Sequence, residues 1–221
     1  MPPPPLTRRI FETVHLTSLG LWLGAVLATG LFAAVVFGAS RHLDPTVPAF
    51  AAYEGNHADL VAGFIQNQVF MAVDAVQFVA AFLTLASLIG LLTFGKLPLN
   101  RWSSGLRVLG VAVAMGLVSY YLMVLTPRMT ENVRIYWAAA EAGEAERASE
   151  YKAKFDEDHP AASNTLKGVA GSLALAMVTG AFSAASGGIA TPGSPRKTSD
   201  PVEPNKPKLE EPDLVRKGAR A

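Results

Sequence analysis

The chain has 221 residues, of which 50% are hydrophobic and 17% charged, with a net charge of +1. Soluble globular domains carry about 25% charged residues, so this is the composition of a membrane protein. Cysteine is absent, which excludes disulfides, thiolate metal sites and thiol nucleophiles.

Residues 1–9 form an N-terminal tail ending on Arg8 and Arg9. The first apolar run follows, from about Leu16 to Ala39. It exceeds the ~20 helical residues that cross a ~30 Å hydrocarbon core, and it is longer than the 7–15 residues or so of a signal-peptide core. Three more runs follow at roughly Val69–Phe94, Leu106–Leu125 and Leu166–Ala185. In lipid a spanning backbone must satisfy its own hydrogen bonds, so such runs are expected to be helices. The fourth is rich in Gly, Ala and Ser and needs neighbours to pack on. The expected fold is all-α: an integral membrane four-helix bundle over residues 10–187.

Lys and Arg near the helix ends set the orientation. The N-terminal tail and the loop carrying Lys96, Arg101 and Arg107 are basic, whereas residues 41–68 hold Arg41 against Asp44, Glu54 and Asp59. Both termini are therefore expected in the cytoplasm, in a bacterial inner membrane. The segment 126–165 is then outside. Its Ala- and Glu-rich part, 129–158, reads as a solvated helical arm, entered through a break at Pro127 and interrupted near Gly143, with Glu150 and Lys154 spaced to pair. From residue 188 the composition turns polar, with six prolines in the last 34 residues. That tail, 188–221, is expected to be disordered and cytoplasmic.

The stretch "HLTSLGLWLG" opens the first helix. Gly20, Gly24 and Ala28 are four apart and form a small-residue ridge of the kind that lets a second helix approach. Replacing Gly24 by leucine is accordingly expected to destabilise the bundle. His15 and Trp22 share a face; His15 is placed near the cytoplasmic boundary, with Glu12 or water as partner. Other small or polar stripes are Asn67, Asp74, Gln77, Ala81 and Thr84 on the second helix, Gly105, Ala112, Gly116, Ser119 and Met123 on the third, and Ser172, Ala176, Thr179 and Ser183 on the fourth. Each is expected to face the bundle interior. Asp74 is costly in a membrane unless paired or protonated, and Arg128, Tyr120 or Tyr121 at the outer end of the third helix are its expected partners.

No serine elbow, phosphate loop, dinucleotide fingerprint or basic aromatic face is present, so neither enzyme chemistry nor nucleic-acid binding is indicated. His15, His42, His57 and His159 fit no short ligand spacing. In this topology His15 lies across the bilayer from the others, leaving His42, His57 and His159 as candidates for an outer-face metal site.

Taken in order, "HLTSLGLWLG", "YYLMVLTPRM" and "FDEDHPAASNTLKG" resemble a small membrane family related to eukaryotic transmembrane protein 205, catalogued in bacteria as a domain of unknown function. The resemblance covers about residues 10–187. Its carriers are His15, Leu21, Trp22 and Gly24, then Tyr121, Pro127 and Arg128, then Phe155, His159, Ser163 and Asn164. The opening His, Trp and Gly are also similar to those of copper-resistance membrane proteins and of a haem-associated protoporphyrinogen oxidase family, which implies haem or copper at His15.

The resulting expectation is a non-enzymatic membrane protein of structural, accessory or stress-related role, without a cofactor, in contact with lipid and with a second copy or another membrane protein. Gly20, Trp22, Gly24, Asp74, Tyr121, Arg128, His159 and Asn164 are assigned to packing and polar contacts within it. His159 and Ser163 are expected to organise the start of the last helix, because Pro160 suits a first helical turn. Haem or copper handling, or an oligomeric solute transporter, are the alternatives.

Overall fold

The computed structural model describes residues 5–186. Among these residues there is no strand, and four helices are long and apolar enough to cross a membrane. The protein is an all-helical membrane protein. The helices are α1 (Leu6–Leu43), α2 (His57–Thr93), α3 (Trp102–Glu141) and α4 (Ala145–Ser186). The expected tail at 188–221 lies outside the described residues.

Side-chain partners fix the directions. Between α1 and α2, His15 meets Ser87, Trp22 meets Gln77 and Arg41 meets Asp59, so the two helices are antiparallel. Between α3 and α4, Arg107 lies by Gly180, Gly110 by Ala176, Leu117 by Gly168 and Arg128 by Asp158, which is again antiparallel. The start of α1, the end of α2, the start of α3 and the end of α4 therefore share one end of the bundle, here the termini end. The opposite, arm end carries the α1–α2 loop and the α3–α4 turn.

Each helix is longer than its apolar run, because polar segments continue the same helix past the bilayer. In α3 the continuation crosses Pro127. Proline has no N–H, and its ring crowds the carbonyl four residues back. The chain answers with one wide turn over Tyr121–Leu125, in which the Thr126 N–H reaches the Tyr121 carbonyl, and the helix resumes over Thr126–Glu141. The break expected at Pro127 is thus a widened turn inside a continuous helix. The interruption near Gly143 does occur: Gly143 has φ +72°, a left-handed conformation that closes the helical hairpin between α3 and α4.

Two further expectations are corrected here. Pro160 lies inside α4, so His159 and Ser163 do not begin a helix; the helix begins at Ala145, beyond the hairpin turn. Nor is the arm a free solvated rod. Val133, Tyr136, Ala139, Ala140 and Ala148 form a core with Leu60 of α2, flanked by Phe50, Tyr53 and Trp137. The Tyr53 and Tyr136 hydroxyls are hydrogen-bonded at 2.8 Å, and the Phe64 and Trp137 rings pack at 5.5 Å. The arm is a cap fastened onto the start of α2. Its polar side carries solvent-facing ion pairs, including the Glu150–Lys154 pair at 2.7 Å.

The main core joins all four helices through Leu19, Trp22, Leu88, Val111, Val118, Leu173 and Ala176. Two helix backbones come close at Gly110, where an added Cβ would lie 2.8 Å from the Ser172 carbonyl oxygen and 3.2 Å from the Ala176 Cβ. Gly90 lies beneath the Phe11 ring. Gly24, by contrast, is exposed, and a Cβ there meets nothing within 4 Å; at Gly20 only the tip of Met177 comes as near as 3.9 Å. The ridge of Gly20, Gly24 and Ala28 therefore faces an open groove beside Ala72, Val73 and Val76 and does not hold this bundle together. The stripe expected inside α3 is also on the wrong side. Gly105, Ala112, Gly116 and Met123 are exposed, while Ser104, Arg107, Val111, Ala114 and Val118 are buried. Small side chains mark both an interhelical contact and a smooth lipid face; in α3 the inward rotation of Arg107 decides between them.

Candidate functional site

The two halves of the bundle differ. At the termini end it is tightly interlocked around charge. Arg107 has no exposed side-chain surface, and its Nη1 donates to both Glu12 oxygens at 2.9 and 3.0 Å. Beside it, His15 is fully buried in the seam rather than at a wet boundary. Ser87 donates its hydroxyl proton to the Leu83 carbonyl at 2.6 Å. The His15 Nδ1–H therefore donates to the Thr84 carbonyl at 3.1 Å and the Ser87 oxygen at 3.0 Å. The Thr84 hydroxyl donates to Ser18 at 3.0 Å, and Ser18 donates to the His15 carbonyl at 3.0 Å. His15 Nε2, Arg107 Nε and Nη2, and the Ser104 and Ser183 hydroxyls are buried without a protein partner. The guanidinium is an electrostatic neighbour of the imidazole, and its positive charge opposes a metal cation at that ring. Glu12 is thus the partner of Arg107 and not of His15. The sequence signal for this lock was an arginine one residue inside the third apolar run, which counting loop charges had assigned to the membrane surface.

At the arm end the bundle opens. α2 packs along α1 but scarcely meets α3, and a cavity of about 330 Å³ lies between α2 on one side and α3 and α4 on the other. The cap forms its roof through Val133, Tyr136 and Trp137; Phe37, Phe70, Met129, Phe155 and Leu166 form its walls. Most of the wall surface is apolar, but polar side chains enter from three helices. Asp59, Asn67 and Asp74 come from α2, Tyr121 and Thr126 from α3, and Lys152, Asp156, His159 and Ser163 from α4. Most of the charges are matched. Asp59 accepts from Arg41 at 2.9 Å and Asp156 from Lys152 at 2.6 Å. Tyr121 is 5% exposed and packs with Leu125 and Ala162 at the widened turn. The Thr126 hydroxyl is buried beside the Tyr121 phenol, and Asp74 is an electrostatic neighbour of that phenol.

Asp74 is the exception in charge. Its partner is the Gln77 amide, which donates at 3.1 Å; Gln77 in turn accepts from the Trp22 indole at 3.4 Å. Arg128, expected to pair with Asp74, instead forms a two-pronged ion pair with Asp158 within the arm, Nε to Oδ2 at 2.7 Å. The hairpin brings Asp158 opposite Arg128.

His42, His57 and His159 do not come together. His42 is exposed at the end of α1. His57 uses both ring nitrogens, Nδ1 accepting from the Val47 N–H and Nε2 donating to the Tyr53 carbonyl, each at 3.0 Å. His159 stands at the cavity edge against Phe155, ring centroids 5.8 Å apart. Among the described residues no group of three or more His, Asp or Glu side chains is arranged to hold a metal ion. Asn164 is exposed on α4. Sequence reasoning missed Gly63, which lines the cavity with open space where a side chain would go; it lies ahead of the second apolar run, and a lone glycine there carries no functional signal.

No known protein family, curated protein or solved structure matches this chain.

Proposed function

We propose that this is a non-enzymatic accessory protein of the bacterial inner membrane, with both termini cytoplasmic, that holds an apolar-bodied small molecule in the cavity beneath its cap. The cavity itself carries the reading. Ligand sites are concave, have volumes of about 300–1,000 Å³, and are mostly apolar with a few placed polar groups. The space beneath the cap has this volume and a mainly apolar surface, with Asn67, Asp74, Tyr121 and Ser163 among its polar groups. No nucleophile paired with a base lines it, so the arrangement favours binding over bond-making. The basic residues of the N-terminal tail and the α2–α3 loop support the orientation.

The test uses the full-length protein in nanodiscs and the neutral fluorophore N-phenyl-1-naphthylamine, with protein-free nanodiscs as blank. Saturable fluorescence enhancement is expected from the wild type. Gly63→Phe is expected to abolish it, because the new ring enters the cavity without meeting backbone. Equal enhancement in wild type and Gly63→Phe refutes the binding role. Reporter fusions at residues 5 and 200 read the orientation, and opposite-side signals overturn it.

A further inference from the structure

The ligand's chemistry follows from the charge left over in this cavity, and the inference rests on the binding role just proposed. We infer that the cavity takes a lipophilic organic cation, an ammonium on an apolar body, with its charge held at Asp74. Of the three carboxylates lining the cavity, Asp59 and Asp156 are neutralised by Arg41 and Lys152. Asp74 has a neutral amide for its partner. A carboxylate at membrane depth is costly without a counter-charge, and such residues mark substrate or ion paths. Arg128, at the arm end of α3, is committed to Asp158.

The surroundings choose among cations. A hard metal ion requires about six oxygen ligands, and Asp74 belongs to no cluster of acids or histidines. Beside it stand the Gln77 amide and the Tyr121 phenol, and most of the remaining cavity surface is apolar, with Phe37, Phe70, Met129, Phe155 and Leu166 among its walls. Aromatic faces attract organic cations most strongly where water is excluded, and apolar walls bury the body of the molecule. A volume of about 330 Å³ accommodates a benzyl- or short-alkylammonium. An anionic amphiphile meets repulsion from Asp74 and finds Lys152 already paired.

The probe is radiolabelled benzyltrimethylammonium, bound to full-length protein in nanodiscs of zwitterionic lipid, in competition with neopentylbenzene, which has the same shape and no charge. The wild type is expected to prefer the cation by about tenfold or more. Asp74→Asn keeps the Gln77 contact and is expected to lower the preference to near unity while N-phenyl-1-naphthylamine still binds. Asp74→Glu restores the preference, and Gly63→Phe removes binding of every probe. If the neutral fluorophore binds but the cation shows no preference over its isostere, or an equal preference in Asp74→Asn, the charge assignment is overturned and the cavity reading survives. If neither probe binds, both fall.

Discussion

The buried ion pair at the termini end allows a sharp test of how this bundle is held. Arg107 is 0% exposed and Glu12 12% exposed, with contacts at 2.9 and 3.0 Å. Two consequences follow from that asymmetry. Glu12→Met strands a guanidinium with no route to water, and breaking a buried pair in this way costs about 3–5 kcal/mol, roughly two to four orders of magnitude in the folding equilibrium. Arg107→Met leaves a carboxylate at the edge of the helix, partly open already, and is expected to cost less, about 1–3 kcal/mol, the range for a buried polar group left without its partner. The double variant replaces both charges by apolar side chains and is expected to recover most of the loss, since a buried pair and a well-packed apolar substitute are often near equal in stability. Equilibrium unfolding in mixed micelles, titrated with dodecyl sulfate and followed by tryptophan fluorescence, measures all four proteins. Small, additive losses in the single variants, below about 1 kcal/mol each as for exposed pairs, refute the reasoning.

Packing makes a second contrast. Gly110→Val forces a side chain against the Ser172 carbonyl and is expected to cost about 1–3 kcal/mol or more, as overpacking does; Gly24→Val meets open space and is expected to leave the same unfolding midpoint nearly unchanged. Loss of the Tyr53–Tyr136 hydroxyl contact in Tyr136→Phe is expected to loosen the cap by about 1 kcal/mol, the usual net worth of one hydrogen bond, read as faster proteolysis at the Gly143 turn. In single-tryptophan variants, brominated lipid is expected to quench Trp102, 69% exposed, far more than Trp22, 0% exposed; equal quenching contradicts the placement of Trp22 in the core.

Which parts of this architecture are legible along the chain follows from the range over which each signal acts. A run of twenty apolar residues is a local property, and hydrocarbon allows it one conformation. Four helices and the interruption near Gly143 can therefore be read from consecutive residues, whereas the polar continuation of each helix beyond its apolar run cannot. Rotation about each helix axis cannot. On α3 the small-residue arc from Gly105 to Met123 and the opposite arc from Ser104 to Val118 are both plausible interfaces. The choice falls to Glu12, 95 residues away in the chain, which draws Arg107 inward and turns the small arc to lipid. Asp74 is similar. Its need for a partner is visible in sequence, but Arg128 is taken by Asp158 only because the hairpin returns α4 alongside α3.

What the sequence by itself determined, then, is that four segments are long and apolar enough to cross a membrane as helices, because that depends on transfer free energies summed over neighbouring residues. The tertiary structure alone decided which faces meet, which glycines sit at contacts, and that the arm closes over a cavity rather than standing in water. These depend on the matching of charges and volumes between segments far apart in the chain. No window along the sequence contains both members of such a pair.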